Sequence, residues 1–479
     1  MYLNWHHCLL LFFFTNVSTF SQLIDWPSAP KRIVWLAAKH DSFGDGTTNE
    51  LPLDVSTAGK LDKALRKMSL ESGVYGEGVV LRFLSGSYET YGIRLRPRWH
   101  LIGDGLDKTK LKLIPSLKHL KIKSAYHSVI GGGWGPQFSA GLDAERLLKR
   151  DFENIRVADV SLNCNWNGMK KELGPIVKKV SGVDLLAKQV MVERVKVSNF
   201  GAVGGRPSWR EVFPIRVISG MGDGASLPGY RKSIIEIRHC IVEGPVLGPD
   251  KGTEWPYCTG IMVSHNEADP ENFLVRALVH HNEILNIVNG IAFGGAFLKT
   301  ADFYSNKVTN CGIGFNFDTG SNRGVVIRNN NFLECVGGGS VNNGKHFEIR
   351  NNNFSLKSPD DPRFIYWNNG LRIWDHTRGF VVKDNRFEFS GKSKTMARGI
   401  LLHGLSVGLR MFQDDSGEWQ SQIDPHRFFN NHYFGLLPNA AGPQEASHNM
   451  HLNIDGRSIH LTGVIDGEGD GLQFYWHDD

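Results

Sequence analysis

The chain has 479 residues, long enough for two or three ordinary domains or for one elongated fold. Hydrophobic residues at 41% and charged residues at 22% exclude a disordered, collagen-like or coiled-coil chain. With 54 basic against 49 acidic residues the net charge is only +5, and no basic block offers a surface for nucleic acid.

The chain opens with MYLNWHHCLLLFFFTNVSTFSQ, whose apolar run from Cys8 to Phe14 suits the core of a signal peptide and is too short to span a bilayer. Thr19 and Ser21 supply small residues for cleavage, so residues 1–21 are read as a signal peptide, with His6 and His7 where Lys or Arg is usual. No later stretch is long and apolar enough for a membrane helix, and a secreted, periplasmic or extracellular protein is expected. Five cysteines remain after the signal, Cys164, Cys240, Cys258, Cys311 and Cys335, an odd set that is no disulfide framework and lacks zinc-type CxxC spacing.

Next come HDSFGDGTTNE, a helical pattern over Ser56 to Ser69 containing LDKALRKM, and the strand-like GEGVVLRFLSGSY, IRLRPRWHLIGDG and TKLKL. Further strands follow as FENIRVADVSLNCNWNG, VMVERVKVSNFGAVGG and SIIEIRHCIVEGPVLG. From there one phrase recurs: FLVRALVHHNEI, LKTADFYSNKV, RGVVIRNNNF, KHFEIRNNNF, RGFVVKDNRF and DPHRFFNNHYF. Its Asn falls at Asn282, Asn306, Asn330, Asn352, Asn385 and Asn431, at intervals of 24, 24, 22, 33 and 46, which is a solenoid period with two insertions.

Alternation within each phrase has period two, so the units are strands. Ala277, Ala301, Val325, Phe347 and Phe380 form one expected inward row, and Val279, Phe303, Ile327, Ile349 and Val382 a second. His280, Tyr304, Arg328, Arg350 and Lys383 point outward between them, and Ile284, Val308, Phe332, Phe354 and Phe387 turn inward after the Asn. Each coil adds another strand: GIAFGG, GFNFDTG, GGSVNNG, GLRIWDH and GILLHGL. Asn and Gly tolerate left-handed backbone at the bends, and a stacked Asn can bond its neighbour in the next coil. The pattern predicts an all-β fold: a parallel β-helix with coils ~4.8 Å apart, a capping helix and long loop insertions.

The segment over residues 31–115, with its GDG turn, capping helix, VVLRFLSGSY strand and LIGDG turn, resembles the entry module of the pectate-lyase-like superfamily, which includes rhamnogalacturonase and epimerase-like proteins. The resemblance implies a right-handed parallel β-helix entered through residues 31–115, with residues 116–479 as body and C-terminal coils. It leaves activity open, because one fold hosts lyases, hydrolases, epimerases, tail spikes and proteins without catalysis.

Three fragments are similar to active-site motifs of that superfamily. IWDH at Ile373 to His376 is similar to the WIDH of calcium-dependent pectate lyases, but one residue is missing, which reverses the side each chain faces. DPHR at Asp424 to Arg427 resembles the DPHE of mannuronate epimerases, yet its His426 falls in an inward row. QDD at Gln413 to Asp415 lacks the companion motifs of polygalacturonases and reads as a solvated loop. Aligning the coils instead gives a polar column: Asp318, Asn342, Trp374, Asp375, His376 and His403, with Asn316, Ser340 and Arg372 pointing outward beside it. Carboxylate, imidazole and arginine together can abstract a proton α to a carboxylate and protonate a leaving oxygen, although β-helix turns are also polar simply because they meet water.

Catalysis is therefore assigned to Asp318, Asp375, His376 and His403, and substrate binding to Arg328, Arg350, Arg372, Trp374 and Lys383. The stacked cations Arg328, Arg350 and Lys383 suit an acidic polymer or, alternatively, plain solubility. Trp209, Trp255, Tyr257, Tyr366, Trp367 and Trp419 could stack on sugars or pack their own loops. Cys311 and Cys335, one coil apart, should be stacked neighbours with free thiols. No metal ligand set is assigned: DGEGDG at Asp466 to Gly471 has His477 where a calcium loop needs Glu, so calcium lacks a clear motif and the cofactor stays unknown. The leading expectation is a carbohydrate-active protein acting on an acidic, uronic-acid-containing polysaccharide by lyase or glycoside hydrolase chemistry. The alternative is a non-catalytic glycan-binding or adhesion protein; neither involves nucleic acid or a membrane span.

Overall fold

A computed structural model describes residues 26, 28–72, 78–116, 126–132, 153–202, 212–219, 232–244, 258–265, 274–294, 300–317, 324–342, 344–357, 368–373, 377, 379–390, 398–402, 409–413, 419–423, 427–434, 443–445, 450–454, 457–465 and 472–478. The described residues form one large parallel sheet of 22 strands and a second, almost wholly parallel, of 12. This is the expected right-handed parallel β-helix. The helix Ala58–Ser72 caps its open end, burying Ala58, Leu61 and Met68. It starts two residues later than expected because the Thr57 hydroxyl takes the capping position, accepting from the Lys60 N–H at 3.3 Å.

The repeat pairs as its period requires. Val279, Phe303, Ile327, Ile349 and Val382 are direct partners in successive strands. All five are buried, none more than 2% exposed. Behind the corner, Phe332, Phe354 and Phe387 stack face to face with centroids 4.9 and 4.7 Å apart. Room for these rings comes from the glycine at the second position of three strands of the second sheet, Ile313–Phe317, Gly337–Val341 and Asn369–Ile373. A Cβ on Gly314, Gly338 or Gly370 would lie 2.4 to 2.6 Å from a ring carbon of Phe332, Phe354 or Phe387. Those glycines serve close approach, not the left-handed backbone expected at the bends.

The left-handed residue is instead the one before each ladder position, which is Cys240 in the first of these coils and Asn in the later ones. His239, His281, Ser305, Asn329, Asn351, Asp384 and Asn430 all have φ between 52° and 56°. The ladder Asn itself faces inward and carries the corner. Asn306 Nδ2 donates to Asn330 Oδ1 at 3.0 Å and to the Val279 carbonyl at 2.9 Å, and the Asn306 backbone N–H donates to the same Asn330 oxygen at 2.9 Å. The pattern repeats from Asn282 to Asn431, so buried amides satisfy one another along the solenoid axis.

Cys311 and Cys335 are buried neighbours, as their spacing of one coil places them, and both thiols are free. Burial first, and then the adjacent Cys335, push the Cys311 thiol well above its ordinary value. An antiparallel hairpin, Leu409–Gln413 with Trp419–Ile423, precedes the last coil strands, and after them Met450–Ile454, Arg457–Ile465 and Leu472–Asp478 form an antiparallel sheet.

Candidate functional site

Asp318, Trp374, Asp375, His376 and His403 lie outside the described residues, as do Asp414, Asp415, His426 and the loop aromatics Trp209, Trp255, Tyr257, Tyr366 and Trp367. Trp419 is placed by its backbone, in the hairpin. Arg372 stands where the alignment of coils put it, paired in register with Ser340, which pairs with Asn316. It is half-buried, and burial lowers its guanidinium from the ordinary value.

The cation row is also in register: Tyr304, Arg328, Arg350 and Lys383 are successive partners on the outward face of the first sheet. These cations are engaged within the chain. Arg328 forks onto Asp302, with Nε to Oδ1 at 3.1 Å and Nη2 to Oδ2 at 2.8 Å. Glu348 lies between the other two, 2.9 Å from Arg350 Nε and 3.2 Å from Lys383 Nζ. The Arg350 contact has ion-pair separation without hydrogen-bond angles, since that Nε makes no hydrogen bond. The row therefore alternates cations with carboxylates two residues back on the same face.

Toward the N-terminus the same outward rows change character. Arg238, His280 and Tyr304 are partners in one row, and Glu236 sits two residues before Arg238. His280 is 6% exposed and directs Nε2 to Glu236 Oε1 at 3.1 Å. Its Nδ1 lies 2.8 Å from Nδ1 of His281. Successive residues of a strand normally face opposite sides. Here the left-handed backbone at His281 (φ 55°) turns both imidazoles outward. One coil earlier His239 occupies the same left-handed position, and its ring stacks on that of His281 with centroids 5.0 Å apart. The ligand-type atoms of the three histidines all lie within 4.8 Å of one another. The Tyr304 ring is sandwiched between His280, 4.5 Å away and nearly parallel, and the Arg328 guanidinium, 4.4 Å away.

Burial, then the neighbouring His280, lowers the pKa of both His239 and His281. Burial alone would raise the Glu236 carboxyl, but the His280 hydrogen bond and the Arg238 charge outweigh it and hold the group below its ordinary value. Burial, followed by the nearby Asp302 charge, raises the Tyr304 phenol, which therefore stays protonated as a donor.

Under the cluster runs a network of charges. Glu193, with its side chain 1% exposed, accepts from Arg156, Arg194 and Arg238, and Arg194 also forks onto Asp159 at 2.6 and 3.0 Å. Trp26 Nε1 donates to the second Glu236 oxygen at 3.0 Å, so the segment leading into the first strand covers the carboxylate side. His239 and His281 face solvent.

Sequence reasoning passed over this cluster because it treated His280 as one member of an outward row. The available signal was RHC at Arg238 to Cys240 above HHN at His280 to Asn282. Their alignment puts histidine twice at a corner position where later coils place Ser, Asn or Asp.

No protein-family profile and no curated protein matches the chain. Among solved structures, the mannuronan C-5 epimerase AlgE4 A-module of Azotobacter vinelandii is 14% identical, covering 85% of this chain and 97% of that one at a TM-score of 0.42. The Streptococcus pneumoniae surface protein and adhesin PfbA is 13% identical, covering 85% and 99% at a TM-score of 0.42. An exopolygalacturonase from Thermotoga maritima is 14% identical, covering 86% and 93% at a TM-score of 0.34. The β-helix assignment rests on the chain's own parallel strand register.

Proposed function

We propose that the protein is a secreted carbohydrate-active enzyme that acts on a uronic-acid-containing polysaccharide by removing the proton α to a uronate carboxylate. The observation that carries the reading is the convergence of a hydrogen-bonded imidazole pair, a phenol and guanidinium groups on one outward face. His281 is the exposed base, held by His280 and, through it, by the Glu236 carboxylate. Tyr304 is the acid for the leaving oxygen, and the Arg238 and Arg328 charges flank the position where an enolate would develop. Imidazole and phenol suit elimination, whereas glycoside hydrolysis uses two facing carboxyl groups. A solenoid face repeating every ~4.8 Å gives a polymer a track across several coils.

The test is a panel of uronic-acid polymers, followed for unsaturated products and for reducing ends. The parent should release unsaturated products, His281→Ala and Tyr304→Phe should each lower turnover by about 100-fold or more, and both variants should keep the parental melting profile. The competing location is the column of Asp318, Asp375, His376 and His403 with Arg372 and Trp374. Full turnover in the first two variants, with loss in His376→Ala or His403→Ala, moves the chemistry there. No turnover on any polymer, with binding retained, leaves the adhesion-type alternative.

A further inference from the structure

We infer that His239, His280 and His281 form a binding site for one divalent transition-metal ion of the zinc type, with Glu236 as the carboxylate that orients the buried ligand. The inference concerns the site proposed above, but it rests on that functional reading only for its consequence on turnover.

Three imidazoles and an open position are a donor set that such ions favour over calcium or magnesium, which prefer oxygen. The structure supplies the tautomer this requires. Because a carboxylate only accepts, His280 Nε2–H donates to Glu236 Oε1 at 3.1 Å, and its Nδ1 is left facing His281 Nδ1 at 2.8 Å. A carboxylate behind a ligating histidine is the usual orienting partner in metal sites. Glu236 is itself fixed from two more directions, by Arg238 Nη1 at 2.9 Å and Trp26 Nε1 at 3.0 Å, so the buried ligand cannot swing away.

The remaining geometry is close to what an ion needs. Two imidazole nitrogens on a tetrahedral ion with bonds of about 2.0–2.1 Å sit about 3.3 Å apart. His280 Nδ1 and His281 Nδ1 stand 2.8 Å apart, and all three ligand atoms fall within 4.8 Å. The rings that must rotate to close the set are His239 and His281, both exposed. Bringing two adjacent residues to one side needs the left-handed turn at His281, and placing His239 beside it needs the same turn one coil earlier. An ion held here occupies the lone pair that the proposed base would use, so metal and proton compete for the cluster.

The full chain, prepared without a polyhistidine tag and stripped with chelator, is titrated with Co2+ and then with Zn2+. One equivalent of Co2+ should give the strong visible bands of a low-coordinate site, and Zn2+ should displace it. His239→Ala and His281→Ala should each weaken binding by more than 100-fold, and Glu236→Gln by about 10- to 100-fold, with parental circular dichroism in all three. Absence of saturable binding, or affinity unchanged in His239→Ala and His281→Ala, overturns the site. Turnover is read separately on the polymer panel: a protein that binds metal but cleaves nothing refutes the enzymatic reading and leaves the metal site standing.

Discussion

The outward face of the first sheet is built twice, from the same strand positions, to different ends. From Arg328 to Lys383 each cation meets a carboxylate two residues back in a neighbouring or the same coil, and the surface is a regular ladder of half-exposed ion pairs. From Glu193 to Tyr304 the equivalent positions hold a carboxylate shielded from water, three arginines around it and a group of imidazoles. The interior does not change across this boundary: Ile237, Val279, Phe303, Ile327 and Ile349 continue one buried row. A solenoid thus separates its obligations. Inward positions are fixed by stacking, while outward positions are free to differ from coil to coil, so a local departure from the ladder marks where chemistry can sit.

The sharpest way to break the common part of the two regions is to charge the shared row. Ile327 is 1% exposed and lies between Phe303 and Ile349. Ile327→Asp places an unpaired carboxylate in a closed core, and the loss should reach about 4–5 kcal/mol or more. Chemical denaturation should show the midpoint collapsing, and near-parental stability would refute the register on which both regions depend.

That row was fully legible in the sequence, because a period near 24 combined with alternation leaves one register that buries Val279, Phe303, Ile327, Ile349 and Val382 together. The Asn ladder was legible for the same reason. Backbone handedness was read one residue late, since Asn306 and Asn330 serve as amide bridges while Ser305 and Asn329 take the positive φ. The pairing of Arg328 with Asp302 was missed although both are visible in the phrases. Two outward rows on one face interact, and the alignment considered each row alone. The histidine cluster needed one further fact, the left-handed turn that puts His281 on the side of His280, and period-two reasoning forbids it.

A smaller effect tests the shielded half. Glu193 accepts from Arg156, Arg194 and Arg238, whose side chains are 35%, 42% and 30% exposed. Glu193→Gln keeps the shape and leaves three guanidiniums facing one another. Removing one partner of a buried charge group destabilises by about 3–5 kcal/mol, and partial exposure of the arginines puts the expected loss at the lower end, about 3 kcal/mol. Burial alone would raise the Glu193 carboxyl, but the arginines more than offset it and hold it below its ordinary value. A depressed carboxyl stabilises the fold above its unfolded pKa of about 4.3, and that contribution fades as the pH falls through the folded value. The parent should therefore lose stability on acidification more steeply than the variant, as melting curves between about pH 3 and 7 will show.

The smallest effect is expected in the ladder of ion pairs, and there the comparison is decided. Lys383 Nζ is 3.2 Å from Glu348 and 5.7 Å from the Phe429 ring, with its side chain 30% exposed. Surface pairs of this kind contribute about 0–1 kcal/mol, so Lys383→Ala should leave the denaturation midpoint almost unmoved. Its charge is already answered by Glu348, and an acidic polymer gains little from a cation whose field a neighbouring carboxylate cancels within a few ångströms. Affinity for a polyuronate should then change by less than about twofold, and the dependence of binding on salt should keep its slope. A tenfold loss in Lys383→Ala with a flattened salt dependence would reverse the assignment and make the later coils the polyanion track.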